Sequence, residues 1–283
     1  MYIQLIAMKI GIYTNVKKDS KLTLTQKLVA NLTRYGAEVF LYGEVAKKMN
    51  QTDDFLNSVM PDVMLVLGGD GTILGIVDFC AQHNIPMLGI NLGRIGFLTG
   101  LEAGEADKLY VILKQKLYKT ERRAMLQIDF AGKTPLALNE VVIMRRTGSK
   151  IVLLEVSVDG DFVDNYYCDG FIVSTATGST AYSLSAGGPI ITPGADVFAL
   201  TPISPHSLHA RPIVIAAGST VTIKPVKGAC GVIVDGQMAG EVAKGTGVTV
   251  TKATSVAAFI RPEGSKFFNR LLTKLNMWSV TDA

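Results

Sequence analysis

The sequence predicts two domains of different class: an N-terminal α/β domain built on a parallel sheet, and a C-terminal all-β sandwich. A last helix is expected to return to the first domain. Three observations carry this. Between Lys9 and Ile90, short apolar runs alternate with a segment of helical period. From about Tyr118 the texture changes to many short strand-like runs separated by turns. After Arg261 the helical spacing resumes. The expected division is residues 1–120, completed by 262–283, and residues 121–261.

The first strand is read at Lys9-Ile10-Gly11-Ile12-Tyr13. Leu24, Leu28, Leu32 and Tyr35 then recur at helical spacing, with Gly36 where a residue just past a helix end belongs. Glu38-Val39-Phe40-Leu41 reads as a second strand. Val63-Met64-Leu65-Val66-Leu67 is an unbroken apolar run, as expected of a strand buried on both faces. A helix is expected over Ile73 to Cys80 and a further strand at Ile85 to Ile90. This alternation makes the first domain Rossmann-like.

The β region is expected to hold strands at Met125–Ala131, Ala137–Arg145, Leu153–Val158, Phe162–Tyr167 and Phe171–Ser174. Others are expected at Thr220–Lys224, Val232–Asp235, Val248–Lys252 and Val256–Arg261. Ala131-Gly132-Lys133 and Asp159-Gly160-Asp161 are turn signals. Phe267, Phe268, Leu271, Leu272 and Leu275 place a helix in the tail.

A chain of 283 residues with 48% apolar residues can bury one large core or two ordinary ones. Its net charge of +4 (28 basic against 24 acidic) is scattered, which argues against nucleic acid as a partner. Three cysteines, Cys80, Cys168 and Cys230, are too few and too far apart for a disulfide framework or a zinc site, so a reducing, cytoplasmic setting is expected. Met1 to Met8 lacks the charged start and cleavage pattern of a signal peptide. No uncharged apolar run reaches the roughly 18 residues that would suggest a membrane span.

The densest chemistry sits at Gly68-Gly69-Asp70-Gly71-Thr72, between the buried strand and the following helix. Glycines here allow positive φ and close backbone approach, and free amides at a helix start attract phosphate. The carboxylate is the unusual member, because it repels phosphate unless it faces a hydroxyl or a metal. A turn of this kind suits phosphoryl transfer to an alcohol; Asp70 as a helix N-cap is the plainer alternative. The loop Asn91 to Leu98 leaves the next strand on the same sheet edge, where ligands bind in open α/β sheets. There Arg94 would meet a phosphate and Phe97 a ring, or the two are a solvated charge and a core aromatic.

In the β region, Asn139-Glu140 pairs an amide with a carboxylate at a strand start, for which a solvated strand edge is the simpler reading. Asp169-Gly170 through Pro189 is more informative: a short apolar strand runs into Ser, Thr and Gly at high density, with a helix expected near Ser179. Capping accounts for one or two of these hydroxyls. The remainder suit a ligand rich in hydroxyls and amides. His206 and His209 have no metal-ligand spacing and are expected to pack or cap.

Taken together these residues resemble the NAD kinase family. Gly68 to Thr72 is similar to its first motif, Asn139-Glu140 to its second, and Asp169 to Pro189 to its long third motif; Pro205 to Pro212 is similar to a segment before a strand. Diacylglycerol and sphingosine kinases share a similar turn, and phosphofructokinases a related one, without the Thr-Gly-Ser-Thr-Ala-Tyr run. The resemblance implies an α/β and a β domain with a dinucleotide between them, and transfer of the γ-phosphoryl of ATP to the 2′-hydroxyl of the adenosine ribose of NAD. It implies Asp70 as base or orienter. NAD contacts are implied at Asp70, Gly71, Phe97, Asn139, Glu140, Lys150, Asp169, Thr177, Thr180, Ala181, Tyr182, Ser183, Ser185 and Gln237. The donor phosphates are assigned to Gly68, Gly69, Gly71, Thr72 and Arg94. A divalent cation such as Mg²⁺ and a homotetramer or homodimer are implied as well. No P-loop lysine precedes Thr72, so Gly-rich backbone, Mg²⁺ and Arg94 are left to grip the donor, either ATP or inorganic polyphosphate. A lipid or sugar kinase, or a non-catalytic NAD-binding regulator, are the competing readings.

Overall fold

The computed structural model describes residues 7–54, 59–93, 96–146, 148, 150–264 and 266–280, with side chains up to 275. The chain divides into two compact units, Met1–Arg122 with Ala257–Ala283, and Arg123–Val256.

Unit 1 begins with strand β1 (Lys9–Thr14), helix α1 (Thr23–Arg34), β2 (Glu38–Tyr42) and α2 (Glu44–Lys48). It continues through β3 (Val63–Gly68), α3 (Asp70–Leu74), α4 (Val77–Gln82) and β4 (Met87–Asn91). β5 (Leu101–Glu102), a 3₁₀ turn (Ala103–Lys108) and α5 (Leu109–Lys114) follow. The strands lie in the order β4-β3-β1-β2, all parallel. Every residue of β3 and β4 is buried, which is why both read as continuous apolar runs. In α1, Leu28 and Leu32 enter the core, and Gly36 takes the left-handed φ of +84° that stops the helix. Tyr35 instead stays half-exposed and stacks on Tyr110 with ring centroids 4.3 Å apart. The helix expected over Ile73 to Cys80 is two short helices, because Ile76 takes a non-helical φ of −128°.

Unit 2 takes up β6 (Tyr118–Asp129) partway along, then β7 (Leu136–Ala137), β8 (Glu140–Arg145), β9 (Val152–Val158), β10 (Asp161–Cys168) and β11 (Gly170–Thr175). A 3₁₀ turn (Gly178–Thr180) and α6 (Tyr182–Ser185) precede β12 (Val197–Ile203), β13 (Ile213–Ala216), β14 (Val221–Lys227), β15 (Cys230–Val234) and β16 (Gln237–Val242). β17 (Val248–Pro262) then leads back into unit 1, where α7 (Phe267–Val280) follows. Within unit 2, β10-β9-β14-β17 and β13-β12-β11-β8-β15-β16 form two antiparallel sheets. Leu154 and Val156 of one sheet share a buried core with Ile143, Phe171, Phe198 and Val232 of the other, as a sandwich requires.

The turn chemistry acts as expected. Ala131-Gly132, Asp159-Gly160 and Asp235-Gly236 each place two successive residues at positive φ, the geometry that suits a tight hairpin. β12, β13 and β16 were not among the expected strands, and the runs expected at Val248–Lys252 and Val256–Arg261 are one strand of 15 residues. The helix expected near Ser179 is only a 3₁₀ turn and one helical turn, since Ala181 between them takes a non-helical ψ of −130°.

The core of unit 2 yields a prediction. Phe171 is fully buried against Tyr166, with ring centroids 4.9 Å apart. Phe171→Ala is expected to cost about 3–5 kcal/mol in urea unfolding followed by circular dichroism. Leu208→Ala, at a side chain 89% exposed, should stay within about 0.5 kcal/mol of the parent.

Candidate active site

In unit 1 the order of strands reverses between β1 and β3, because the chain passes from β1 to β2 on one side and returns to β3 on the other. Ligands of open α/β sheets bind outside the carboxyl ends of strands at such a point. The Gly-rich turn stands there. None of Gly68, Gly69 and Gly71 has a positive φ, so what they provide is space rather than a left-handed turn. A Cβ on Gly68 would fall 2.1 Å from Thr72 Oγ1, whereas one on Gly71 would meet nothing within 4 Å. Gly71 therefore answers to no neighbour in the fold and leaves its backbone open to a ligand. The Thr72 hydroxyl accepts from the Gly69 amide and from Asn15 Nδ2, both at 3.3 Å, and so closes the turn.

Asp70 is not the helix cap; that position belongs to Gly69. The carboxylate instead accepts from the amides of Phe97 (2.9 Å) and Leu98 (3.0 Å) and from Lys274 Nζ (3.3 Å). A Cβ on Gly96 would stand 2.2 Å from Asp70 Oδ1, so the loop passes the carboxylate closely enough to need glycine. The opposite side of that loop is held by Arg261, only 7% exposed, which donates to the carbonyls of Phe97, Leu98 and Thr99 at 2.7–3.3 Å and to Glu121 at 2.7 Å. Arg270 adds a bond to the Thr99 carbonyl at 3.1 Å. The peptide between Phe97 and Leu98 is thus bonded at both ends, its carbonyl to Arg261 and its N–H to Asp70. Lys274 Nζ also lies 4.3 Å from the centroid of the Phe97 ring. Asp70 keeps about a quarter of its side chain exposed, so an oriented carboxylate is open to solvent.

In unit 2 the organising group is Asp235, at the hairpin after β15. It accepts from the amides of Leu138 (2.7 Å), Asn139 (2.8 Å) and Glu140 (3.0 Å). The third motif is pressed on the same segment. Thr175 Oγ1 donates to the Leu138 carbonyl at 2.6 Å, and a Cβ on Gly178 would strike the Asn139 carbonyl at 2.1 Å. Glu140 is no solvated edge: β8 lies between β11 and β15, and the side chain is 5% exposed. Its Oε2 is buried without a hydrogen-bond partner among the described residues. Leaving such an atom unpaired is costly, and a ligand hydroxyl or amide would satisfy it.

Asn139, Glu140 and the segment Thr177 to Ser185 thus come together, with Thr180 and Ala181 half-buried and Tyr182 and Ser185 exposed. Some of the hydroxyls are structural. Thr177 accepts from Arg123 Nη1 at 3.1 Å, Ser183 is buried against Thr201 at 3.0 Å, and Ser179 bonds the Ala176 and Ile191 carbonyls. Gln237 is exposed next to the Asp235-Gly236 turn. Asp169 stands apart, at the other end of β11 and about 17 Å of strand away by its length. There it pairs with Arg145 at 2.6 Å; Lys150, exposed, follows β8 towards that same end. Phe97 is half-buried, and Arg94 lies outside the described residues. His206 is exposed and lies edge-on to Tyr167. Sequence reasoning missed Arg145, Asp235, Arg261 and Lys274. Of these only Asp235 carried a local signal, the Asp-Gly hairpin.

Burial, and then the charge of Asp235, push the Glu140 carboxyl up to about 8, while the Tyr182 amide pulls the other way. Folded Glu140 keeps its proton between about pH 4.5 and about pH 8, where an unfolded glutamate loses it. This residue's contribution to stability therefore falls as pH rises through that window and levels off above it. Glu140→Gln is neutral in both states, so its Tm should gain steadily on that of the parent from about pH 4.5 to about pH 8. Thermal melts at stepped pH check this; a constant difference would contradict it.

Comparisons with known proteins point one way. The chain matches the model of the ATP-NAD kinase N-terminal domain over residues 10–118 and that of the C-terminal domain over residues 138–262. It is 37% identical to an NAD kinase of Lachnoclostridium phytofermentans, covering 94% of this chain and 98% of that one. It is 34% identical to an NAD kinase of Caldanaerobacter subterraneus subsp. tengcongensis over the same shares. Among solved structures, an NAD kinase from Archaeoglobus fulgidus in complex with ATP is 30% identical with a TM-score of 0.76, covering 95% of this chain and 99% of that one. Yeast NADH kinase complexed with NADH, at 24% identity, shares the fold with a TM-score of 0.84 over 98% and 89%. The identity extends over nearly the whole of both chains and both domain models match in order, so this chain belongs to the NAD kinase family.

Proposed function

We propose that this protein transfers the γ-phosphoryl of ATP to the 2′-hydroxyl of the adenosine ribose of NAD, giving NADP and ADP. The observation that carries the reading is Asp70. It is a partly exposed carboxylate in a Gly-rich turn at the sheet's switch point, aimed by two backbone amides. A ribose hydroxyl is a weak nucleophile, and phosphoryl transfer rests mainly on alignment and charge neutralisation. In the reaction the 2′-oxygen bonds to the γ-phosphorus as the bond from that phosphorus to the β–γ bridging oxygen breaks. The hydroxyl proton passes to Asp70 and ADP leaves.

Asn139 and Glu140, with Thr180, Ala181, Tyr182 and Ser185, are the proposed dinucleotide contacts; the unsatisfied Glu140 Oε2 supports this. Ser183 and Thr177 support that surface from beneath, because their hydroxyls are already bonded. Gly69, Gly71 and Thr72 are proposed for the donor phosphates. Among the described residues no group of three carboxylate, His or Cys side chains could enclose a metal. In this reading a divalent cation such as Mg²⁺ is held mainly through the phosphates, where it would neutralise their charge. Self-association as a homotetramer or homodimer, and a cytoplasmic setting, belong to the same reading. Among the described residues no helix is long and apolar enough to cross a membrane.

Incubation with ATP, Mg²⁺ and NAD should yield a product that NADP-specific dehydrogenases accept, while diacylglycerol and fructose 6-phosphate stay unmodified. Asp70→Asn should keep NAD binding within a few-fold and lower kcat by about 10²–10⁴; near-normal turnover would remove Asp70 from the chemistry. Asn139→Ala should raise the KM for NAD about tenfold or more while leaving that for ATP nearly unchanged. Equal changes for both substrates would return Asn139 to a structural role.

A further inference from the structure

We propose that Lys18 binds the terminal phosphates of the nucleoside triphosphate donor, the task that falls to a lysine of the P-loop in chains that have one. The inference rests on the phosphoryl-transfer reading above. Lys18 lies in the loop after β1, the strand on the other side of the switch point from β3, so its loop and the Gly-rich turn flank the same point of the sheet edge. Its ammonium reaches over the turn. A Cβ on Gly69 would begin 3.0 Å from Lys18 Nζ, and one on Gly93, in the loop after β4, would begin 3.5 Å from it. The lysine thus lies across bare peptide at two glycines, in loops from three adjacent strands.

The loop is held in place. Asn15 N donates to the Leu67 carbonyl at 2.8 Å and Asn15 Nδ2 to Thr72 Oγ1 at 3.3 Å, which ties the loop to the turn. Asn15 Oδ1 accepts from the amides of Lys17 (3.1 Å) and Lys18 (3.3 Å), setting the direction in which Lys18 leaves. The neighbouring carboxylates are committed elsewhere. Asp19 accepts from the amide and hydroxyl of Thr25 at 2.9 and 2.7 Å, and Asp70 from Phe97, Leu98 and Lys274. Among the described residues the Lys18 ammonium has no ion pair and no hydrogen-bond acceptor. A cation held over a Gly-rich turn, with no anion of the protein to neutralise it, suits the ionised oxygens of a phosphate chain.

Lys18→Ala and Lys18→Arg, made in the full chain, test this with initial rates for ATP and NAD and with inhibition by ADP and AMP. Lys18→Ala should lower kcat/KM for ATP at least tenfold and weaken ADP more than AMP, with the KM for NAD within twofold and an unchanged melting temperature. Lys18→Arg should recover part of the loss. A Lys18→Ala enzyme whose kcat/KM for ATP falls less than threefold, or whose KM for NAD rises as much as that for ATP, overturns the proposal. Parent protein that makes no NADP would defeat the proposed activity instead. In that case weaker ADP binding by Lys18→Ala in calorimetry supports the Lys18 assignment, and equal binding overturns it.

Discussion

A buried guanidinium holds the loop that aims the carboxylate on which the proposed chemistry turns. Arg261 gathers three successive carbonyls, those of Phe97, Leu98 and Thr99, and is itself neutralised by Glu121. Carbonyls turned towards Arg261 leave the amides of Phe97 and Leu98 turned towards Asp70. Hydrogen bonds to charged groups contribute roughly 1.5–3 kcal/mol each, so this loop is fixed from both sides by charge. Gly96 lets it pass, and Lys274 pairs with the carboxylate at 3.3 Å while leaving about a quarter of the Asp70 side chain exposed. The direction of the Asp70 carboxylate is thus set by bonds within the fold itself.

Unit 2 solves a similar problem with the opposite charge. Asp235 accepts three successive amides and so shapes the segment Leu138 to Glu140. Burial pushes the Asp235 carboxyl up, and the same three amides pull it down. Glu140's own burial, and then the charge of Asp235, push the Glu140 carboxyl up, and one of its oxygens has no hydrogen-bond partner among the described residues. One carboxylate is wholly occupied with backbone, and the next is left available. The two acids differ in what bonds them as well as in exposure, Glu140 being buried and Asp235 half-buried.

The fold class and the place of the Gly-rich turn were legible because they rest on local patterns: continuous apolar strands, helical spacing and paired turn residues. β12 was not, since Val197-Phe198-Ala199-Leu200-Thr201-Pro202-Ile203 carries a proline and no alternation although it is almost wholly buried. Glu140 looked like a solvated edge because a charge at a strand start usually is one; only the flanking strands β11 and β15, drawn from distant sequence, bury it. Arg261 and Lys274 lie more than 160 residues from the groups they hold, and no spacing rule reaches that far. Of the two things expected of glycine at the turn, positive φ and close backbone approach, the turn uses no positive φ and keeps the space.

Unit 1 is discontinuous, and this bears on how the protein is made. Residues 123–256 form a continuous insertion between two pieces of unit 1, so that segment is complete in a growing chain while its host is not. Asp70 emerges before that insertion, and Lys274, 204 residues further on, emerges after it. Until that second piece of unit 1 emerges, the carboxylate has neither its ammonium partner nor the guanidinium that holds the loop beside it. Contacts of such long separation form late because chain closure must precede them. A nascent chain therefore carries the first motif through the synthesis of the whole insertion without the two cations that fix the Asp70 carboxylate and its loop.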